Sequence, residues 1–113
     1  MKTLQYKNEF GTDNVGLSVA SYENNGSLYI GLVCENGDYY GDLTKNLPPG
    51  NTLAENEAFL CDDSFLPFVI QHGLGKVLPD RGYSGFCSYP KVAFDLEILK
   101  KFDPDGVKEF LEY

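Results

Sequence analysis

The sequence is poor in the residue types that build catalytic and metal centres. It has no tryptophan, one histidine (His72) and three widely spaced cysteines (Cys34, Cys61 and Cys87). A zinc site uses four Cys or His ligands at set spacings, which these residues do not supply. The sequence contains no EF-hand-like loop and no glycine-rich phosphate loop after a strand. We therefore expect no metal, no cofactor and reduced thiols in a cytoplasmic protein, although one disulfide is compatible with three cysteines.

Long apolar runs and basic residues are also scarce. No run approaches the roughly 20 apolar residues that a membrane span needs, and "MKTLQYKNEF" lacks the apolar core of a secretory signal. Residues 1–63 carry ten acids against three bases, and residues 64–113 carry seven against six. Phosphate backbones and anionic membranes both attract basic residues, so we expect no direct nucleic-acid binding and no membrane binding. The acidic half favours a basic protein partner, mimicry of nucleic acid or, most simply, solubility.

Aromatic residues and hairpin signals dominate the first half of the chain. The sequence has eight Tyr and eight Phe, and two Asn-Gly dipeptides, at 25–26 and 36–37, separate alternating apolar runs. Asn-Gly in this setting indicates a two-residue turn with positive φ at both positions. The pattern predicts an antiparallel meander with strands at 15–23, 28–35 and 38–45.

Two-residue turns also fix a strand register, which has consequences for both faces of the meander. The first turn sets Val19 opposite Leu32, and Tyr22 opposite Tyr29. The second sets Leu32 opposite Gly41, and Cys34 opposite Tyr39. Together they predict an inward face made of Leu28, Ile30, Leu32 and Cys34.

The remaining elements change from strands to helices, which indicates the α+β class. We expect a single α+β domain over 1–113, with an N-terminal antiparallel β-meander of three to four strands, a late extra strand, a short central helix and one or two short C-terminal helices packed on the sheet. The predicted elements are a strand over 3–10 with Leu4, Tyr6 and Phe10 on one side, a turn over 11–14, a short strand at 57–62, a helix at about 64–72 capped by Asp63 or Ser64, an irregular segment at 74–82, a strand at 88–95, a helix at 96–102 capped by Asp95, and a last helix at 105–113.

The stretch "GYSGFCSYP" (82–90) places hydroxyls and a thiol among glycines and aromatics. As a G-x-S-x-G nucleophile elbow it fails, because the second glycine comes one residue early. A Cys87–His72 pair has no evident third group, and a free cysteine is more often a small buried hydrophobe. We interpret the stretch as a structural corner: Gly82 and Gly85 allow positive φ or close backbone approach, Phe86 and Tyr89 anchor it in the core, Cys87 is buried, and Pro90 lies at a strand start or edge.

Tyrosines and acids of the meander are the candidate binding residues. The predicted register turns the tyrosines away from the inward face, and tyrosine is enriched at interface anchors. The alternative is a solvated face whose tyrosine hydroxyls contact water. Glu35 and Asp38 are expected opposite each other as a like-charge pair. The candidates are Tyr22, Tyr29, Tyr40, Glu35, Asp38 and Asp42.

Two stretches resemble a known family: "SYENNGSLYIGLVCENGDYYGDLTKNLP" (21–48) and "GLGKVLPDRGYSGFCSYPKVAFDLEILKKF" (73–102). The matching features are the Asn-Asn-Gly turn with "LYIGL", the strand end "LTKNLP", and "SGFCSYPKVAF". On these features the chain resembles a bacterial domain-of-unknown-function family, numbered forty-three thirteen. The resemblance implies a small cytoplasmic protein encoded on conjugative transposons or other mobile elements of gut anaerobes, where small acidic proteins sometimes act against host defences. It implies no catalytic residues.

Three hypotheses about function follow. The first is a non-enzymatic accessory or regulatory protein, monomeric or weakly dimeric, that binds a protein partner. The second is an anti-defence nucleic-acid mimic, of the anti-restriction or anti-CRISPR type, that occupies the DNA channel of a nuclease. The third is a small thiol or serine enzyme that uses Cys87 or Ser84, and it requires an exposed, reactive Cys87 thiol.

Overall fold

A computed structural model describes residues 2–48 and 50–112 and has the predicted α+β architecture. The strands are β1 (Leu4–Asn8), β2 (Gly11–Ser21), β3 (Leu28–Val33), β4 (Tyr39–Asp42), β5 (Thr44–Lys45), β6 (Glu57–Leu60), β7 (Gly75–Ser84) and β8 (Cys87–Phe94). The helices are a 3-10 turn (Asp63–Phe65), α1 (Leu66–Gln71), α2 (Leu96–Leu99) and α3 (Pro104–Glu112).

The strands form two four-stranded sheets that share one segment. The first has the order β1-β2-β3-β4, and the second has the order β5-β6-β8-β7. Leu43, between β4 and β5, donates its N–H to the Ile30 carbonyl and accepts from the Cys61 N–H, both at 3.0 Å. The segment from β4 to β5 is therefore paired with β3 at one end and with β6 at the other.

The first meander hairpin has the predicted inward face but not the predicted register. Val19 pairs with Ile30, not with Leu32, so the register is shifted by two residues. The two-residue turn does not form, because Gly26 has a positive φ (+72°) and Asn25 does not, whereas the predicted turn needs both. A shift of two residues keeps every side chain on its predicted face.

The second hairpin contains a bulge that the sequence prediction missed. Leu32 pairs with Gly41 as expected, but Val33 pairs with Tyr39 because the register changes between Leu32 and Val33. The Cys34 N–H donates to the Asp38 carbonyl at 2.7 Å. Cys34 is therefore opposite Asp38, and the predicted Cys34–Tyr39 and Glu35–Asp38 pairs were wrong.

The β1–β2 turn lies earlier in the chain than predicted. The strand ends at Asn8, the turn is Glu9–Phe10, and residues 11–14 belong to β2. Phe10 lies in the turn and is 92% exposed, so the expectation that it shares one side of a strand with Leu4 and Tyr6 was wrong. The physical reason is the sequence Asn-Glu-Phe-Gly, which matches a type I turn with asparagine first and glycine last.

The second half of the chain also contains a long strand where an irregular segment was predicted. β7 covers Gly75–Ser84, and a register irregularity between Val77 and Arg81 interrupts its pairing with β8. The predicted central helix begins as a 3-10 turn capped by Asp62, rather than by Asp63 or Ser64. Asp95 caps α2 as predicted, but α2 ends at Leu99. The final residue of the predicted last helix, Tyr113, lies outside the described residues.

The helices close the core from two sides. α1 contacts β7 and β1, and the Tyr6 ring lies 5.5 Å from the rings of both Phe65 and Phe68. α3 packs on β2, and Asp103 at its start accepts a hydrogen bond from the Val19 N–H at 2.8 Å. The residues buried between these elements include Val15, Leu28, Ile30, Leu32, Leu60, Val69, Val92, Phe94, Leu99 and Val107. Within the described ranges, no helix is long and apolar enough to cross a membrane.

Candidate protein-binding site

A long segment of the first sheet carries negative charge without any basic residue. Between Lys7 and Lys45 the sequence contains six carboxylates and no lysine or arginine. All six side chains are exposed, and the salt bridges among the described residues involve none of them. The six residues are Glu9, Asp13, Glu23, Glu35, Asp38 and Asp42.

Four of these acids lie at the end of the first sheet that carries both the β1–β2 turn and the β3–β4 turn. We call this surface the acidic end and define it by Glu9, Asp13, Glu35 and Asp38. The Asn14 side chain, on β2, contacts the β3–β4 turn by donating from Nδ2 to Glu35 Oε1 at 3.1 Å. An open depression of about 370 Å³ lies between β2 and the β3–β4 turn, lined by Asp13, Asn14, Cys34, Glu35, Asn36 and Tyr40.

Asparagine amides contact three of the four carboxylates of the acidic end, including Glu35 as above. Asn8 donates from Nδ2 to Asp13 at 3.0 Å, and Asn36 donates from Nδ2 to Asp38 at 3.0 Å. A neutral amide satisfies a carboxylate oxygen without cancelling its charge. The acids are thus oriented by the fold while their negative charge stays available to a partner.

Tyr40 belongs to this surface through its hydroxyl. The hydroxyl donates to Asp13 Oδ2 at 2.7 Å, and the ring meets the edge of Tyr6 with centroids 6.1 Å apart. The hydrogen bond to Asp13, assisted by burial, raises the pKa of Tyr40 to about 12. The same bond lowers the pKa of Asp13, so at neutral pH the pair is a neutral donor and an ionised acceptor.

The other predicted binding residues form a separate group, with Tyr29 on β3, Asp42 on β4 and Tyr22 just after β2. The Tyr29 hydroxyl donates to Asp42 Oδ1 at 2.7 Å, and the Tyr22 and Tyr29 rings meet edge to face at 5.4 Å. Gly31 pairs with Asp42, and a Cβ at Gly31 would collide with the Tyr29 ring. Burial, followed by the bond to Asp42, raises the pKa of Tyr29. The six predicted residues therefore divide into Tyr40, Glu35 and Asp38 at the acidic end, and Tyr22, Tyr29 and Asp42 away from it.

The stretch 82–90 is the tip of the β7–β8 hairpin. Ser84 pairs with Cys87 across Gly85–Phe86, and Gly85 has a φ of +61°, as expected for glycine at the first central position of a type II′ turn. Phe86 is 110% exposed, so the prediction that it anchors the corner in the core was wrong. The second central residue of so short a turn extends beyond both strands and meets no core.

The other residues of this corner agree with the prediction only in part. Gly82 is a point of close approach as expected, because an added Cβ would lie 2.5 Å from Phe59 Cε1. Tyr89 is half-buried, with Lys45 Nζ 5.5 Å from its ring centroid. Pro90 is buried inside β8, next to Lys91, where pairing with β6 ends. Cys87 is exposed, so its predicted burial was wrong.

Cys87 and His72 do not come together. His72 follows α1 just before β7 begins, and its Nε2 hydrogen-bonds to the Gln5 carbonyl at 2.8 Å. Cys87 follows the far end of β7, a strand of ten residues, which is on the order of 30 Å long. Among residues 2–48 and 50–112, no group of three or more His, Cys, Asp or Glu side chains is placed to hold a metal ion.

Sequence reasoning missed two acids of the acidic end, Glu9 and Asp13, together with the neighbouring Asn8 and Phe10. The signal was present in the tetrapeptide Asn-Glu-Phe-Gly at 8–11, which matches a turn with exposed central residues. Because the turn was predicted at 11–14, Asp13 was assigned to a loop and Phe10 to a strand.

The fold and the site define a small α+β protein with an acidic, aromatic-bearing end and no assembled catalytic group among its candidate residues. The chain belongs to the family described as a domain of unknown function (DUF4313), whose model matches residues 16–113. Searches of curated proteins and of solved structures find no match to the chain.

Proposed function

We propose that the protein is a non-enzymatic accessory or regulatory factor that binds a basic protein partner through the acidic end. The observation that carries this proposal is the stretch between Lys7 and Lys45, which has six exposed carboxylates and no base. Such a surface attracts a positively charged partner over a distance and repels nucleic acid and anionic membranes. A cytoplasmic protein encoded on a mobile element, as the resemblance implies, is consistent with this role.

Two double variants with equal net charge test the proposal. Glu35→Gln with Asp38→Asn removes two charges from the acidic end and keeps the oxygens that Asn14 and Asn36 contact. Glu109→Gln with Glu112→Gln removes two exposed charges from α3.

Partners captured from the native host should be basic, and their affinity should fall as salt rises. The first double variant should weaken binding and flatten its salt dependence, whereas the second should bind like the wild type. Equal losses in the two variants, or binding that is unchanged from low to high salt, would contradict the proposal.

Mimicry of nucleic acid is the second candidate, because an exposed surface with carboxylates and no base between Lys7 and Lys45 suits a DNA-binding channel. It predicts that double-stranded DNA competes with the protein for the captured partner, and a partner that holds both at once excludes it. A thiol or serine enzyme is less well supported, because Cys87 and His72 are separated by the length of β7.

A further inference from the structure

Phe10 is presented to solvent by a turn whose conformation is specified by its neighbours. Asn8 and Gly11 occupy the first and last positions of the turn, as a type I turn prefers. The Asn8 Oδ1 accepts the Phe10 N–H at 2.8 Å, which is the Asx-turn that asparagine makes in this position. The backbone position that exposes Phe10 is therefore set by the fold.

The turn is also tied to the acidic end. Asn8 donates from Nδ2 to Asp13 at 3.0 Å, and the same Asp13 oxygen accepts the Tyr40 hydroxyl at 2.7 Å. The Asn8 side chain thus fixes the turn through Oδ1 and contacts Asp13 of β2 through Nδ2. Asp13 in turn contacts Tyr40 of β4. A turn whose backbone is already ordered loses less conformational entropy when a partner covers it.

We propose that Phe10 is the apolar anchor of the acidic end, inserted into an apolar pocket on a basic protein while the surrounding carboxylates contact basic residues around that pocket. The inference rests on the proposed function and adds the chemistry of the partner surface. The charge around Phe10 argues for this occupant, because Glu9 adjoins it in sequence and Asp13 is tied to its turn, and these two acids outnumber Lys7 on β1. A central aromatic anchor within a charged rim is the usual arrangement of an interface hot spot.

The protein contains a matched control for this residue. Phe86 is also an exposed phenylalanine at a hairpin tip, but its strands carry three bases and one acid, namely Lys76, Arg81, Lys91 and Asp80. Around Phe10, in contrast, Glu9 and Asp13 outnumber the single base Lys7. Both rings are exposed, so neither truncation to alanine creates a core cavity. The two alanine variants therefore differ in the position of the ring and in the charge around it.

The test uses a phage-displayed library of disulfide-cyclised random peptides as the probe, selected on the intact wild-type protein at low salt. Selected peptides should combine apolar residues with lysine and arginine. Phe10→Ala should weaken their binding about thirtyfold, the effect of a hot-spot residue, and Phe86→Ala should leave it unchanged. The salt dependence should survive Phe10→Ala, because the carboxylates remain.

Each other outcome overturns a definite part of the proposal. Basic peptides that bind Phe10→Ala as tightly as the wild type exclude the anchor and leave the proposed function standing. A selection that yields acidic or neutral peptides, or none, contradicts both. Equal losses in the two alanine variants, or Phe10-dependent binding to phosphatidylcholine vesicles, exclude a specific pocket for Phe10.

Tyr40 is a positioning residue in this arrangement, and a double-mutant cycle tests that role. Tyr40→Phe removes the hydroxyl that contacts Asp13 and keeps the ring. It should weaken peptide binding in the wild-type background and have no effect in the Phe10→Ala background. Equal effects in the two backgrounds would show that Tyr40 acts independently of Phe10.

Discussion

Replacing Asp103 by asparagine is expected to destabilise the protein more than the same change at Asp95. Both aspartates start a helix and hydrogen-bond to its first backbone N–H groups. Asp95 uses one oxygen, Oδ1, for the N–H groups of both Glu97 and Ile98. Asp103 uses both oxygens, Oδ1 for the Gly106 N–H at 3.1 Å and Oδ2 for the Val19 N–H at 2.8 Å.

The difference between the two sites gives the magnitude. Asparagine is as good a helix cap as aspartate, and losing the charge costs about 0.3–1 kcal/mol at either helix start. Asparagine retains one acceptor oxygen. One oxygen can accept both N–H groups at position 95, but at position 103 it can replace only one of the two oxygens that accept hydrogen bonds. Val19 is 4% exposed, so an unpaired N–H there costs about 1–3 kcal/mol in addition.

Urea unfolding at equal m-values measures the effect. The free energy of unfolding of Asp103→Asn should fall below that of Asp95→Asn by about 1–3 kcal/mol. Two variants of equal stability would show that the Val19–Asp103 bond contributes nothing and would refute the reasoning.

Three further predictions concern close approach and charge. Gly106→Ala should lower the melting temperature, because the new Cβ would collide with Asp103 and with the Val19 carbonyl. Alanine normally stabilises a helix interior relative to glycine, so a higher melting temperature would contradict this prediction. Gly82→Ala should cost about 1–3 kcal/mol in urea unfolding by overpacking, whereas Gly41→Ala, with no atom within 4 Å of its Cβ, should be nearly neutral; similar losses would oppose the close-contact explanation. The Lys91 amine lies 2.9 Å from Asp80, which raises the pKa of Lys91 from 10.5 and lowers the pKa of Asp80 from 3.8. The pair therefore contributes its full stabilisation to the folded state between pH 3.8 and pH 10.5, and this stabilisation is lost below pH 3.8 and above pH 10.5. The wild-type urea midpoint should therefore fall more steeply in both windows than that of Lys91→Met, and parallel curves would exclude the linkage.

The inward face of the meander could be predicted from the sequence, because it depends only on the alternation of side chains along each strand. The register was not predictable, since it depends on whether the asparagine of each Asn-Gly pair adopts positive φ. β7 was missed for a related reason: Pro79 and the irregularity between Val77 and Arg81 break the alternation by which a strand is recognised.

The site was predictable in charge but not in arrangement. The run of carboxylates is visible in the sequence, and it led to Glu35 and Asp38. Tyr40 was expected on the same face as Tyr22 and Tyr29. The bulge pairs Val33 with Tyr39 instead of Tyr40, which changes the face on which Tyr40 lies. A bulge of this kind results from the packing of several strands, which no local pattern in the sequence specifies.

The strand order of the second sheet has a consequence for synthesis on the ribosome. The meander finds all of its pairing partners within the first 42 residues, so its mostly local contacts can form early. β6, in contrast, lies between β5 and β8, and β8 is made only after α1 and β7. Until then the nascent chain exposes an unpaired strand edge beside the apolar side chains of Ala58, Phe59 and Leu60, which is the type of surface that chaperones protect from aggregation.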